Sequence, residues 1–207
     1  MRYEFYAYHC NRYTMSSILI KKRTVLSDDT HLLERIDFEK RNRHDEPEMQ
    51  HREIYFRPDA VSVLLADHRQ RSFLLTRQFR LPVYLHEDGD GYLLEACAGV
   101  MDDGETPEET VIRETLEETG YHPLNLLKIG CTYVSPAFCM ERIHLFLAGI
   151  DLQDKKQAGG GVAAEGEEIE PVVISYEKAK QMLQAGEIRD VKTMALLQHF
   201  LLRYPDA

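Results

Sequence analysis

The sequence has no excess of basic residues. Its 207 residues include 25 Lys and Arg against 35 Asp and Glu, which gives a formal net charge of -10 at pH 7. A chain with this balance repels polyanions, because its summed field is negative. We therefore expect no nucleic-acid polymer among its partners. A small anionic ligand stays possible if cations or local arginines mediate its binding.

The chain also lacks the usual spacings of cysteine and histidine ligands. Its four cysteines (Cys10, Cys97, Cys131 and Cys139) contain no C-x-x-C pair, and its nine histidines contain no H-x-x-x-H pair. This disfavours a zinc site or a disulfide framework and indicates reduced thiols. No apolar run is long enough for a signal peptide or a membrane span. We expect a cytoplasmic protein with no membrane partner.

Short apolar runs predict a mixed α/β chain in two parts. Residues 1–57 contain the strand-like runs SILIKKRTVL, HLLERIDFE and REIYFR, with the charged connector KRNRHDEPEMQH before the last. Residues 58–207 contain six more predicted strands: AVSVLLAD, SFLLTRQF, YLLEACAG, LLKIGCTYV, RIHLFLAGI and PVVISY. Helical patterns follow near 177–185 and 191–202. This predicts a small β-rich N-terminal domain followed by a larger α/β domain.

An acidic segment, GVMDDGETPEETVIRETLEETGY, carries the strongest helix signal. Thr106 is suited to the N-cap, Pro107 to the first turn and Glu109 to the capping-box position. Gly120 is suited to the end of the helix. The sequence therefore predicts a helix from Pro107 to Thr119.

The helix concentrates three carboxylates on one side. At about 100° per residue, Glu114 and Glu118 share a face with Glu117 beside them. We expect the opposite side, with Ile112, Leu116 and Thr119, to dock on a sheet. An ordinary solvated helix is the alternative interpretation. However, carboxylates at i, i+3 and i+4 repel one another, and oxygen ligands suit Mg²⁺ or Mn²⁺. The pattern favours a metal site.

The same residues resemble a known family motif. Gly99, then Glu105, then Arg113-Glu114-x-x-Glu117-Glu118-x-Gly120 is similar to the Nudix box of hydrolases that cleave a diphosphate linked to a second group. Thr115 occupies a position that is hydrophobic in that pattern. The resemblance implies an α/β/α sandwich with a mixed sheet, here preceded by the small N-terminal β domain. It also implies an Mg²⁺-dependent hydrolase, with Mn²⁺ possible.

The resemblance further implies roles for these residues. Metal ligands would be Glu114, Glu118 and the carbonyl of Ala98. Arg113 would hold Glu117 or Glu105, so that Arg113 and Glu117 belong to the catalytic machinery. Gly99 would allow the backbone to turn close to the metal.

Beyond the box, TRQFR, YVSPAFCMERIHLFLA, AGGGVAAEGEEIE and GEIRDVKTMALL resemble the branch that acts on nucleoside diphosphate sugars. This branch comprises the ADP-ribose and GDP-mannose pyrophosphatases. AGGGV combined with GEIRDxKT is closer to the GDP-mannose enzymes, whose products are GMP and mannose 1-phosphate. Two alternatives stay open: hydrolysis of ADP-ribose to AMP and ribose 5-phosphate, and a non-catalytic nucleotide-binding regulator.

Gly159, Gly160 and Gly161 predict a mobile hinge before a run of glutamates. A plain solvated linker is the alternative. By resemblance, Glu167 is the metal ligand of this loop and Glu165 the general base, both within the catalytic set.

The resemblance also implies a set of substrate contacts in a homodimer formed by the N-terminal domain. Arg80 would bind the diphosphate, Arg52 and Glu53 would reach the partner's substrate, and Glu141 and Lys192 would lie near sugar or phosphate. The complete set is Arg52, Glu53, Arg80, Ala98, Gly99, Val100, Glu118, Glu141 and Lys192. Solvated surface charge is the alternative for the charged members. The chain departs from the family at Ala137, where a glycine is usual, so a loop that needs positive φ must be built differently, and Phe138 and Met140 are candidates to fill the sugar space.

Overall fold

The structure, a computed structural model, describes residues 18–162 and 166–206. These residues divide into two compact units. One consists of the described residues up to Arg57 together with Ala137–Cys139, and the other consists of Pro58–Pro136 and the residues from Met140 onward. Each unit has its own sheet.

The first unit is built on a three-stranded antiparallel sheet in the order β1-β2-β3. Its strands are β1 (Leu19–Asp28), β2 (Leu32–Arg41) and β3 (Pro47–Tyr55). The predicted connector is shorter than expected, because its second half belongs to β3. The turn is closed by the Asn42 side chain, whose oxygen accepts hydrogen bonds from the backbone N–H groups of His44 and Glu46 at 2.9 and 3.1 Å. An asparagine that caps a turn in this way replaces the missing ladder bonds.

The second unit contains a mixed sheet of seven strands. They are β4 (Ala60–Asp67), β5 (Ser72–Phe79), β6 (Tyr92–Glu95), β7 (Cys97–Val100), β8 (Leu124–Tyr133), β9 (Arg142–Gly149) and β10 (Ile169–Ser175). The main order is β10-β5-β4-β9-β8, with β6 on β5 and β7 on β4. The β4–β9 pair is parallel and the other pairs are antiparallel.

Helices cover both faces of this sheet. They are α1 (Leu81–His86), α2 (Pro107–Thr119), α3 (Tyr176–Ala185) and α4 (Val191–Arg203). Because successive strand residues point to opposite faces, β4 contributes to two cores. Val63 packs in the core that contains Val111 of α2, whereas Leu64 packs in the core that contains Ala179 of α3 and Leu196 of α4. The predicted α/β/α sandwich preceded by a separate β sheet is confirmed.

Two local expectations were wrong. The run YLLEACAG forms two strands, β6 and β7, because its first half pairs with β5 and its second half with β4, and the chain changes partner at Ala96. The short helix α1 was not anticipated; none of its residues is buried, so it has no apolar periodicity to detect.

Within the described ranges, no helix combines the length and the apolar character needed to cross a membrane.

Candidate active site

The helix α2 is fixed at both ends by its own sequence. The Thr106 hydroxyl accepts from the Glu109 N–H, and the Glu109 carboxylate accepts from the Thr106 N–H at 2.8 Å, which completes the predicted capping box. The helix ends at Gly120, which is in the left-handed conformation. These caps fix which helical positions face the sheet.

The buried face of α2 is not the one that apolar character suggested. Of the expected face, Thr119 is buried, but Ile112 and Leu116 are only half-buried. The other buried residues are Thr110, Val111, Glu114, Thr115 and Glu118. The acidic stripe therefore lies against the sheet, and the expectation that it faces away was wrong. The reason is local polar complementarity: the Thr115 hydroxyl lies 3.8 Å from the Cys97 sulfur, and the Ala98 N–H donates to Glu118 Oε2 at 3.3 Å.

Gly99 makes room for Glu114. A Cβ at this position would lie 1.8 Å from the Glu114 Cδ and 1.9 Å from its Oε1. No side chain fits at that distance, so the glycine is required by the close approach of the carboxylate to β7. The helix and the strand thus place two buried carboxylates, Glu114 and Glu118, beside the backbone of residues 98–99.

Arg113 binds the carboxylates on the more exposed side of this stripe. It donates to Glu105 at 2.9 Å from both Nε and Nη2, to Glu114 at 2.9 Å and to Glu117 at 3.1 Å. Its Nη2 also donates to the carbonyl of Val100 at 3.0 Å. The guanidinium therefore holds α2, the preceding loop and the end of β7 in one geometry.

The pKa values of these carboxylates are shifted in opposite directions. Hydrogen bonds from Arg113 lower the pKa of Glu105 to about 2. Burial raises the pKa of Glu114 to about 7, against the opposing charge of Arg113, with Glu117 and Glu167 adding repulsion. Burial also raises the pKa of Glu118 to about 8, with repulsion from Glu114 and Glu167. The positive charge and hydrogen bonds around Glu114 and Glu118 thus do not offset the cost of ionising these two buried carboxylates.

The glycine-rich segment is docked on the end of α2. In this segment, which we call the strap (residues 156–161), Gly160 N–H donates to the Glu118 carbonyl at 2.8 Å and Gly161 N–H to the Glu117 carbonyl at 3.0 Å. The Gln157 side chain donates to the Leu116 carbonyl at 2.7 Å. The last carbonyls of a helix have no partner within it, and the strap supplies donors for those of Glu117 and Glu118. The Leu116 carbonyl also accepts from the Gly120 N–H at 2.9 Å. This differs from the free hinge that the glycines suggested.

The strap places Glu167 near the buried stripe. Val162 N–H donates to Glu167 Oε2 at 3.1 Å, and a Cβ on Gly161, where φ is +84°, would lie 2.8 Å from the Glu167 Cβ. The charge of Glu167 contributes to the raised pKa of both Glu114 and Glu118, although burial is the larger cause. Glu165, the expected base, lies outside the described residues.

The residues present fit a divalent cation. Five carboxylates lie on or beside this stripe: Glu105, Glu114, Glu117, Glu118 and Glu167. Arg113 pairs with the first three, and Glu114 and Glu118 have raised pKa values because they are buried. Among residues 18–162 and 166–206, no three acidic, His or Cys side chains are already arranged to hold a metal ion. The excess buried negative charge and the all-oxygen donor set are those of a hard-cation site.

Two expected substrate contacts, Arg80 and Lys192, are brought together by a residue that was not anticipated. Arg80 Nε donates to Glu95 Oε2 at 2.7 Å, and Lys192 Nζ donates to Glu95 Oε1 at 3.2 Å. Lys192 Nζ also donates to Asp190 Oδ1 at 2.6 Å. Asp190 caps α4, and the charge of Lys192 with hydrogen bonds from Lys192 and Thr193 outweighs burial and lowers its pKa.

Three other expected contacts, Arg52, Glu53 and Glu141, lie on or beside strands β3 and β9. Arg52 and Glu53 lie on β3 of the first unit with exposed side chains, and Glu141 directly precedes β9 and is half-buried. Ala137 has no positive φ, so its loop is built without the conformation that a glycine permits. The Phe138 and Met140 side chains are both about half exposed.

Three residues of the site were missed from the sequence. Glu95 is a buried charge in an otherwise apolar run, which is itself a signal. Asp190 precedes a helix at the N-cap position, and Thr193 follows it by three residues. The Thr193 hydroxyl accepts from the Ala96 N–H at 2.6 Å, so α4 holds the point where β6 becomes β7.

Comparison with known proteins identifies the family of the chain. Residues 56–197 match the family model described as the NUDIX domain, so the chain belongs to the Nudix family and is an enzyme that hydrolyses a pyrophosphate bond. It is also similar to proteins named GDP-mannose pyrophosphatase. The protein of Pectobacterium atrosepticum is 39% identical over 188 residues, which cover 91% of this chain and 96% of the relative. The protein of Cronobacter sakazakii is 40% identical over 89% of this chain and 95% of the relative. The protein of Shigella flexneri is 35% identical over 92% of this chain and 98% of the relative.

Proposed function

We propose that the chain is an Mg²⁺-dependent hydrolase of nucleoside diphosphate sugars, and that its preferred substrate is GDP-mannose, cleaved to GMP and mannose 1-phosphate. The observation that carries the proposal is the buried pair Glu114 and Glu118 beside Gly99, with Arg113 bound to Glu114 and to the neighbouring Glu105 and Glu117. The choice of sugar nucleotide is supported by the names of the relatives, which match the chain over nearly its full length.

Glu114, Glu118, Glu167 and the carbonyl of Ala98 would hold the cation. When bound, it supplies positive charge to the diphosphate and acidifies a bound water. Arg113 acts by orientation, because its hydrogen bonds fix Glu105, Glu114 and Glu117 relative to one another. Glu117 is held 3.1 Å from Arg113 at the edge of the stripe, and Glu165 keeps its proposed role as general base.

The phosphate-binding cations would be Arg80 and Lys192. Both retain N–H donors beyond those used in their ion pairs with Glu95. Because the whole chain is acidic, these local cations would be needed to bring a diphosphate to the carboxylate stripe. Arg52, Glu53 and Glu141 stay proposed contacts on the basis of the family resemblance.

The test compares Glu118→Gln with Glu108→Gln, a control on the same helix with an exposed side chain. We expect Glu118→Gln to lower kcat on GDP-mannose by at least about a thousandfold with the fold retained, and Glu108→Gln to stay within about twofold of wild type. Wild-type rates on GDP-mannose and ADP-ribose are measured in parallel. An unchanged kcat in Glu118→Gln contradicts the assigned role, and a preference for ADP-ribose contradicts the choice of substrate.

We also propose that residues 1–57 form a dimerisation domain ahead of the catalytic residues 58–207. The apolar side chains in and directly before β1, an edge strand of the described sheet, support this proposal. Ile18, Leu19, Ile20 and Val25 are all more than half exposed. An exposed apolar edge strand is a template for pairing with another chain. Light scattering of wild type and Ile20→Lys tests it: a dimer that becomes monomeric is expected, and a monomeric wild type contradicts it.

We also propose that the protein is located in the cytoplasm. The three cysteines of the described residues, Cys97, Cys131 and Cys139, are free thiols, which suits a reducing compartment. Fractionation of the native host tests this location, and recovery outside the cytoplasm contradicts it.

A further inference from the structure

Glu95 is a buried charged side chain that joins three elements of the second unit. It is the last residue of β6, and its side chain is 6% exposed. One carboxylate oxygen accepts from Arg80, which follows β5, and the other accepts from Lys192, in the first turn of α4. Each oxygen therefore holds a different cation.

The way Arg80 is held leaves its outer donors available. Its hydrogen bond to Glu95 uses Nε, and neither terminal nitrogen has a partner among the residues that the structure describes. The side chain is 40% exposed. A guanidinium fixed through Nε presents its two Nη groups in a set direction, and this planar pair of donors matches two oxygens of a phosphate.

Lys192 is held in a similar way from the other side. Its ammonium donates to Glu95 and to Asp190, which leaves one of its three N–H donors. Asp190 cannot move to follow it, because its second oxygen accepts from the N–H and the hydroxyl of Thr193 at 2.9 and 2.6 Å. Among the described residues, Glu95 is thus the one anion that accepts from both cations.

The position of Glu95 in the chain relates this pair to the carboxylate stripe. Glu95 and Ala98 are three residues apart in nearly extended backbone, about 10 Å at 3.3 Å per residue. The Ala98 N–H contacts Glu118, and the intervening Ala96 N–H is held by Thr193. The short run from β6 to β7 therefore connects the two cations with the stripe.

We infer that Glu95 is a positioning residue that holds Arg80 and Lys192 as one binding pair for the diphosphate of the substrate. The inference rests on the proposed function, because it takes the ligand to be a diphosphate. Glu95 itself touches no substrate in this inference. A purely structural Glu95 would affect stability, whereas a positioning Glu95 affects anion binding through Arg80.

The test uses Glu95→Gln, which has the same size. The amide oxygen can accept from one cation only, and its NH₂ group faces the donors of the other. For the Mg²⁺-loaded protein we expect KM for GDP-mannose to rise about tenfold, with kcat within about twofold of wild type. The dissociation constant for inorganic pyrophosphate, measured by calorimetry, should rise by a similar factor. The matched control is Glu170→Gln. Glu170 is an exposed glutamate that accepts from Arg77 of β5, and the KM of this variant should stay within about twofold of wild type.

A mutant cycle separates positioning from a general effect. In a background that combines Arg80→Ala with Lys192→Ala, Glu95→Gln should leave KM and the pyrophosphate dissociation constant unchanged, because both groups that Glu95 orients are absent. The same tenfold rise in both backgrounds overturns the inference, and so does an unchanged KM in folded Glu95→Gln. If Glu95→Gln does not fold, Glu95→Asp replaces it: a carboxylate too short to reach both cations should still raise KM, and an unchanged value overturns the inference.

The proposed function can fail separately. A wild type that hydrolyses no nucleoside diphosphate sugar contradicts that function. The role of Glu95 is then decided by the pyrophosphate dissociation constants measured with and without Glu95→Gln in the two backgrounds. A wild type that does not bind pyrophosphate overturns the role of Glu95 as well.

Discussion

Gly99 shows how one missing side chain determines the geometry of the site. The Glu114 carboxylate occupies the space in which a Cβ of residue 99 would lie, at 1.8 Å from the Cδ. Glycine is therefore required at position 99 for a steric reason, in addition to the turn of the backbone that we expected from the sequence. Glu114 can lie buried against β7 only when residue 99 is glycine.

We predict that Gly99→Ala displaces Glu114 and lowers kcat by about a hundredfold, since a shift of about 1 Å in a catalytic group has effects of that order. Overpacking should also lower the free energy of unfolding by about 1–3 kcal/mol. The matched control is Gly130→Ala, on strand β8, where a Cβ would meet no atom within 4 Å. Steady-state kinetics and thermal unfolding measure both effects. Equal losses in the two variants would contradict the steric explanation.

At the scale of elements, the strap and α2 depend on each other. The strap supplies hydrogen-bond donors to the carbonyls of Leu116, Glu117 and Glu118, and the same segment carries the chain to Glu167. The end of a helix that would otherwise have unpaired carbonyls becomes the anchor of a functional loop.

Gly161→Ala should disturb this anchor. The added Cβ would meet Glu167 at 2.8 Å in a residue whose φ is +84°. Gly186→Ala is the matched control, because Gly186 has a φ of +72° and open space around it. Both variants should lose about 1–2 kcal/mol of stability from the left-handed backbone. Only Gly161→Ala should also lower kcat, by more than about tenfold. A normal kcat in Gly161→Ala would show that Glu167 does not depend on the strap.

These elements also show what the sequence can predict. The helix α2 was predicted to the residue, because Thr106, Glu109 and Gly120 specify its ends locally. The face it buries was not, since burial of Glu114 and Glu118 depends on Gly99 and the Ala98 N–H, which are distant in sequence. Glu95 escaped notice for the same reason: its partners lie 15 and 97 positions away. Residues close in sequence therefore predict the helix ends, whereas the geometry of the site depends on contacts between residues that are distant in sequence.

For the whole molecule, carboxylates with lowered pKa values and carboxylates with raised pKa values make stability depend on pH in opposite directions. Asp67 and Asp190 have lowered pKa values in the folded protein: for both, burial opposes ionisation but is outweighed, for Asp67 by backbone N–H groups and for Asp190 by Lys192 and Thr193. Their contribution is present above the unfolded value near 3.8 and is lost as the pH falls. Glu114 and Glu118 behave in the opposite way, because burial raises their pKa values from 4.5 to about 7 and about 8.

We therefore predict that the metal-free protein is most stable near pH 4–5 and loses stability as the pH rises towards 8. In this range the unfolded chain releases protons from Glu114 and Glu118 that the folded chain retains, at a cost of up to about 1.4 kcal/mol per group and pH unit. Glu118→Gln should make the decline shallower. Mg²⁺ should flatten it in the wild type, because it stabilises the ionised carboxylates. Urea unfolding in EDTA or Mg²⁺ between pH 4 and 8.5 measures these slopes, with Glu108→Gln as the control. A metal-free stability that rises from pH 5 to 8, or a slope that Glu118→Gln leaves unchanged, would mean that the acidic stripe is solvated in solution and is not the cation site of the enzyme.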